Sequence, residues 1–390
     1  MKKSLIALAI VTFSLGISEF GMMGILEDVS AGVDVDVVKG GDLISAYSLG
    51  VAIGAPGLIL LRRLPLKRLL LLLTGIIFTG NLCAALSPGF NLLLFSRFLS
   101  GLPHGAYFGA AAIVAERLVP EGKQATAVAV MVGGMTVANV IGIPLSTFLA
   151  NVLNWRLAFI IVSLCALSAI ICIRMWVPKI APLPDSGLKG QFRFLRKPAP
   201  WLIYAGVFFG QASVYCWLSY INPIMTRVTH FPASAMTMIM VVVGLGMVFG
   251  NAVSGKLSDR YPAALVTGVT AALLIVVMPA IYLLSPYKVP SVILSFIAPA
   301  CLFGIGGPLQ YLIVKYAKGG EMLGGAGIQI AFNVSNAVAA SAGGYAINSG
   351  LGFASPALLG IPCAVIGATA LIILYRKYTS KGPVNKPSHR

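Results

Sequence analysis

Twelve apolar runs, each long enough to cross a bilayer, divide this chain of 390 residues: 5–26, 42–61, 69–87, 90–116, 125–149, 156–177, 200–222, 234–256, 263–284, 290–313, 323–347 and 353–375. About 20 residues of helix span the hydrocarbon core. Lipid offers no hydrogen bonds to the backbone, so only helices and closed barrels can cross it. Barrel strands alternate apolar and polar positions over roughly 10 residues, and these runs are longer and continuously apolar. The fold class is therefore all-α integral membrane, with 12 transmembrane helices. Composition agrees: 58% of residues are hydrophobic and 10% charged, against about 25% charged in soluble proteins. The runs at 90–116, 125–149 and 323–347 exceed one crossing and are expected to tilt or kink. Lys2 and Lys3 before an apolar run imitate a signal peptide. No convincing cleavage site follows, so the run is expected to remain as the first span.

The net charge of +17 is a topology signal rather than a nucleic-acid footprint. With the N-terminus on the cytoplasmic side, 23 of the 28 Lys and Arg residues fall in cytoplasmic segments and four on the other side, with Arg97 inside a span. The positive-inside rule then places both termini of this multi-pass protein in the cytoplasm. The first outer loop carries Glu27, Asp28, Asp34, Asp36 and Asp42, in keeping with this. The basic face would also attract anionic lipid heads. The six cysteines lie in apolar spans without a C-x-x-C pair, which points to core packing rather than disulfides or zinc. No metal or cofactor is expected.

A basic polar stretch, 178–199, separates two six-span halves. The expected organisation is a bundle over 1–177, a cytoplasmic linker over 178–199, a second bundle over 200–375 and a cytoplasmic tail over 376–390. A weak echo supports duplication: GAPGLILLRRLPLKRLL begins at Gly54 and GNAVSGKLSDRYPAALV at Gly250, 196 residues apart. Repeated halves around a midplane site are the usual build of transporters.

Glu19 is the acid that does not belong in a membrane. It sits in SLGISEFGMMGIL, while the other ten acidic residues fall in connections or at segment ends. A carboxylate in hydrocarbon costs at least about 2.5 kcal/mol, so its presence implies binding, releasing or balancing charge. In SRFLSGLPHGAYFGAAAIVAE, Arg97, Gly101 and Gly105 recur every four residues and His104 joins their face. Arg97 could meet Glu19 or form a structural pair or cap; His104 could serve Glu19 or helix packing.

Span eight ends in G-x-x-x-x-G-K-L-S-D-R-Y from Gly250 to Tyr261, which resembles the loop motif of the major facilitator superfamily. Asp259 and Arg260 carry it here. In the first half Arg62, Arg63, Lys67 and Arg68 survive but the Asp is absent. Arg97-x-x-x-Gly101-x-x-x-Gly105 fits the same superfamily. GGMTVANVIGIPLSTFL, with Gly142 and Pro144, resembles the signature helix of its proton-driven drug and sugar exporters. A-N-x-x-G-I-P-L-S-T followed by Trp155-Arg156 is similar to the AraJ-like sugar-efflux branch, and the likeness covers nearly the whole chain.

The resemblance implies two bundles rocking around a cavity lined by spans one, four, seven and ten. Glu19, Arg97 and His104 would then couple protons. Asp259, Arg260, Arg62, Arg63, Lys67, Gly142 and Pro144 would serve gating. Candidate substrate contacts on span seven are Gln211, Tyr215, Trp217 and Tyr220. Span ten offers Gln310 and Tyr311. Span eleven adds Gln329, Asn333 and Asn336 on one stripe. Each could instead be polar glue between helices. The expected activity is proton-coupled efflux of a small solute, a sugar or a drug-like compound, by a monomer embedded in lipid. A proton-coupled importer or uniporter of the same fold is the alternative. A membrane-embedded enzyme is remote, since three His residues give no catalytic cluster. Gly255-Lys256 followed by Leu257 is not a phosphate-binding loop, which argues against ATP as direct fuel.

Overall fold

The computed structural model describes residues 2–61, 64–120, 124–180, 192–317 and 321–379. Twelve long helices run through them. The first half holds α1 (Lys2–Gly24), α2 (Val37–Leu60), α3 (Leu66–Ala85), α4 (Phe90–Gly101 and Pro103–Arg117), α5 (Gln124–Val137, a π turn Ala138–Gly142, then Ile143–Val152) and α6 (Arg156–Trp176). The second holds α7 (Pro198–Leu218), α8 (Met236–Arg260), α9 (Ala263–Leu284), α10 (Lys288–Tyr316), α11 (Glu321–Ala346) and α12 (Pro356–Leu374). Ten of these pass tests of length and apolar character for crossing a membrane; α2 and α11 complete the set. An even number of crossings brings both chain ends to one face, called here the terminal face; the other is the far face.

Local chemistry explains the breaks. Pro103 cannot donate a backbone bond, and α4 breaks at Leu102. Pro144 follows the π turn of α5. These are two of the three kinks expected from span length. The third run instead continues as α11 to Ala346, followed by a π turn in which Gly350 takes φ +80°, a conformation open to glycine. The first outer loop is more ordered than its polarity suggests. It contains a short helix, Leu26–Gly32, and α2 begins at Val37. Asp36 accepts the Lys39 backbone N–H at 2.9 Å, capping α2. Asp42 therefore sits inside a helix, 3.2 Å from Lys39 Nζ.

Helices in lipid gain little from apolar burial and depend on close packing through small residues. The echo at Gly54 and Gly250 is such packing. A Cβ at Gly54 would collide with the Leu102 carbonyl of α4, and one at Gly50 with that of Phe98. In the second half, Gly250 meets the Ala300 carbonyl of α10 and Gly246 that of Phe296. The two halves thus repeat one glycine-on-backbone crossing. Carbonyls in a helix cannot step aside, so Gly250→Val is expected to cost on the order of 1–3 kcal/mol or more. A lowered thermal midpoint and loss of the monodisperse peak in detergent would show it.

Two apolar cores result, and their division positions the site. One takes the terminal-face halves of α1, α3, α4, α5 and α6, with Leu8, Leu70, Ala111, Met131 and Ile173. The other joins the far-face ends of those helices, at Phe20, Ile25 and Phe159, to the second half at Val214, Met240 and Leu302. The halves share a core near the far face and part company toward the terminal face.

Candidate functional site

A cavity of about 660 Å³ lies where the halves part, within the range of small-molecule sites, roughly 300–1,000 Å³. Its walls come from α1, α4 and α5 on one side and α7, α8, α10 and α11 on the other. Phe108 and Gly109 of α4, Gln310 of α10 and Gly325 of α11 line it in the terminal half of the bundle, and Glu19 lies at its deep end.

Polar bonds between the halves close the far face. Asn222 Nδ2 donates to the Gly24 carbonyl at 2.6 Å. Ser45 Oγ donates to the Ala337 carbonyl at 3.0 Å and meets Ser341 Oγ at 3.1 Å. Glu27 accepts from Thr226 Oγ1 at 2.7 Å and from Arg227 Nε at 2.5 Å. The side chains of Arg227 and Glu27 are 49% and 23% exposed. Water screening limits such a pair to ~0–1 kcal/mol. Arg227→Ala is therefore expected to raise far-face opening by about fivefold at most, read as the rate at which a Ser45→Cys thiol reacts with an impermeant maleimide.

Glu19 is 2% exposed. Its Oε2 lies 3.8 Å from His104 Nε2, longer than a hydrogen bond, and its Oε1 has no hydrogen-bond partner. His104 Nδ1 lies 2.8 Å from the Tyr47 hydroxyl. If Nδ1 accepts the Tyr47 proton, Nε2–H faces the carboxylate. If Nδ1 donates, the Nε2 lone pair faces Glu19 and can accept from a protonated carboxyl. Either tautomer turns His104 Nε2 toward Glu19.

Arg97 does not form an ion pair with Glu19. Its Nη1 donates to Ser18 Oγ at 3.3 Å, and its guanidinium carbon sits 4.4 Å from the Tyr47 ring centroid. Ser18 Oγ in turn donates to Asn81 Oδ1 at 3.1 Å. Tyr47 thus touches Arg97 with its ring and His104 with its hydroxyl, and it links the two groups that flank Glu19. A direct Arg97–Glu19 contact, one of the options open from the sequence, is not made, and Tyr47 stands between Arg97 and His104 instead.

The structure divides the other expected site residues. Gln211, Gln310 and Gln329 line the cavity. Tyr215 and Trp217 are buried away from its wall, and Tyr215 stacks edge-on against Phe332. Tyr220 belongs to the far-face seal, where its hydroxyl donates to the Ala340 carbonyl at 2.9 Å. Tyr311 is 64% exposed and off the wall. Asn333 bonds the Gln329 carbonyl at 3.0 Å in its own helix, and Asn336 is buried beside it. The span-eleven stripe is correct as a helical face, but only its Gln329 end reaches the cavity.

Among the gating candidates, Arg62 and Arg63 lie outside the described residues, as does the side chain of Asp259. Arg260 is exposed at the end of α8. Lys67 Nζ donates to the Arg174 carbonyl at 2.8 Å, within the first half, rather than reaching across. Gly142 packs on Ile17 and Phe13 of α1. The sequence reading missed Tyr47, Asn139, Asn251 and the aromatic wall of Phe20, Phe108 and Phe303. Asn139 belongs to the A-N-x-x-G-I-P-L-S-T motif of α5, whose helix-bending chemistry rests on glycine and proline.

The model of the Major Facilitator Superfamily matches residues 8–328. The chain belongs to this superfamily. It is a multi-pass membrane transporter, and a small-molecule substrate follows from that. Putative transporter AraJ of Escherichia coli (strain K12) is 41% identical over 390 residues, covering 99% of this chain and 98% of that protein. Inner membrane transport protein YdhP of the same strain is 34% identical over 372 residues, 95% of each. The Chloramphenicol resistance protein of Streptomyces lividans is 30% identical over 344 residues, 86% of this chain and 87% of that one. A solved bacterial homologue of the human lysosomal transporter Spinster, inward-facing and unoccupied, superposes with a TM-score of 0.76 over 98% of each chain. At 16% identity that likeness speaks to the fold alone.

Proposed function

We propose that this facilitator exports a small amphipathic solute in exchange for protons, using Glu19 as the proton carrier. The observation that carries the reading is the buried Glu19 carboxyl with one oxygen unpartnered at the deep end of a cavity. A charge held there is costly, and a proton removes the charge. A solute that neutralises or displaces that proton couples its own movement to proton flow. The basic residues orient both termini to the cytoplasm, so the cavity described here opens inward. Reorientation to the far face would expose Glu19 to the other compartment. The two bundles, 1–177 and 200–375, would rock about this site with 178–199 as the connecting segment. The protein would act as a monomer among inner-membrane lipids.

The wall supports a drug-like solute over a sugar. Phe20, Phe108, Phe303, Met131 and Met135 offer an apolar, adaptable surface, while three glutamines offer a few polar contacts. A sugar would present hydroxyls on all sides to this surface. The relative named for chloramphenicol resistance fits the same chemistry. The test is proton release in everted vesicles bearing the protein, followed with a pH-gradient dye. Chloramphenicol is expected to dissipate an imposed gradient, and L-arabinose is not. A gradient that neither compound disturbs, and that leaves solute flux unchanged, would remove the antiport reading.

A further inference from the structure

We propose that Asn139 reads the polar head of the transported solute, and that the solute therefore carries an N–H or O–H donor for Asn139 Oδ1. This rests on the cavity being the solute's path. Asn139 lies in the π turn of α5. Pro144 supplies no N–H, and the Ile143 N–H reaches back five residues to the Ala138 carbonyl. Single π turns inside α-helices recur at functional sites because they re-aim a side chain.

Three contacts fix the backbone of this turn. The Ala138 methyl presses on Gly16 of α1, and Gly142 on Ile17. The Asn139 carbonyl itself lies against Gly244 of α8, in the other half of the chain, where any Cβ would collide with it. The main chain is thus clamped while the side chain is left with work undone. Asn139 is 2% exposed, its Oδ1 has no partner, and it lines the cavity. An unsatisfied buried acceptor is destabilising, and a bound donor would relieve it.

Asn222, Asn333 and Asn336 also bury an unpartnered Oδ1, but none of them lines the cavity, and Asn81 is bonded at both ends of its amide. Asn81 Nδ2 donates to the Ile77 carbonyl at 2.9 Å while its Oδ1 accepts from Ser18. Gln211 also faces the cavity with both amide atoms unpartnered. Its longer side chain can bring its amide to a ligand at several positions. Asn139, short and on a clamped turn, holds its amide at one place. With the unpartnered Glu19 Oε1, Gln211 Oε1 and Gln310 Oε1, the wall presents four acceptors to a donor-bearing head, beside an apolar surface for its body.

The test is binding to the purified full-length protein in lipid nanodiscs by titration calorimetry, with two probes. Chloramphenicol carries an amide N–H, hydroxyls and an aromatic body; tetraphenylphosphonium is apolar and has no donor. Asn139→Ala is expected to weaken chloramphenicol roughly tenfold, the scale of one lost hydrogen bond, and to leave tetraphenylphosphonium within about twofold. Asn139→Asp keeps the acceptor oxygen and is expected to restore chloramphenicol binding. Gly244→Ala serves as the control for a damaged turn and should weaken both probes together while lowering the thermal midpoint. Equal weakening of both probes by Asn139→Ala would mark Asn139 as structural and overturn the proposal. So would unchanged chloramphenicol binding, or its absence in the wild type. The assay uses no pH gradient, so a protein that passes here can still fail the antiport test, and the two readings stand or fall separately.

Discussion

Glu19→Gln is expected to bring proton-driven solute flux in proteoliposomes down to the level of protein-free vesicles. Glutamine keeps the size of the side chain and its capacity to accept a hydrogen bond, and it cannot gain or lose a proton at neutral pH. Exchange of solute for solute without a gradient needs no proton, so counterflow should persist and lose its pH dependence. Folding should survive, because the substitution removes a charge from the bilayer interior rather than adding one. The near neighbours of Glu19 are His104 at 3.8 Å and, through His104, Tyr47, and both remain in the variant. Full pH-driven export by Glu19→Gln, at an unchanged thermal midpoint, would take Glu19 out of the mechanism and leave the cavity as a path without this proton carrier.

Gly41→Leu should hold the far face open. Gly41 of α2 lies under the Tyr220 hydroxyl of the second half, and a Cβ there would collide with it. Tyr220 cannot retreat freely, since its hydroxyl donates to the Ala340 carbonyl and Gly343 and Gly344 of α11 press on its ring and hydroxyl. Overpacking of this kind costs roughly 1–3 kcal/mol, which falls on the closed far face and not on the open one. The population should shift toward far-face opening by about 5- to 150-fold. A Ser45→Cys thiol, buried in the parent at the Ala337 contact, should then react with an impermeant maleimide about 5- to 150-fold faster. Flux should fall with it, because one half of the cycle is blocked. The screened Glu27–Arg227 pair is predicted to matter far less, so steric fit at Gly41, not that charge pair, dominates the seal. Labelling at the parental rate in a well-folded Gly41→Leu protein would refute this account.

What could be read from the residues follows from what a bilayer forbids. Lipid leaves helices as the solution for long apolar runs, so twelve crossings, the odd carboxylate at Glu19 and the repeated Gly54 and Gly250 segments were legible before any coordinates. Period and spacing also placed His104 on the face of Arg97. Distance between helices was not legible. Nothing in the sequence says that Tyr47 joins Arg97 to His104, or that the ring of Tyr220 closes the far face instead of lining the cavity. The aromatic side chains of span seven illustrate the reason. Tyr215, Trp217 and Tyr220 have the composition of a binding site, yet Tyr215 lies behind the wall residue Phe332, Trp217 is buried off the wall and Tyr220 bonds Ala340 at the seal, while Gln211 lines the cavity.

The membrane-spanning fold and the ionisable group in the first span follow from the residues alone, because solvation energies act on each residue regardless of its partners. Tertiary structure alone decided which polar groups meet, where the halves part, and that the π turn before Pro144 aims Asn139 into the opening. Those outcomes depend on helix crossings set by glycine contacts between residues far apart in the chain, and such contacts exist only once the helices have packed.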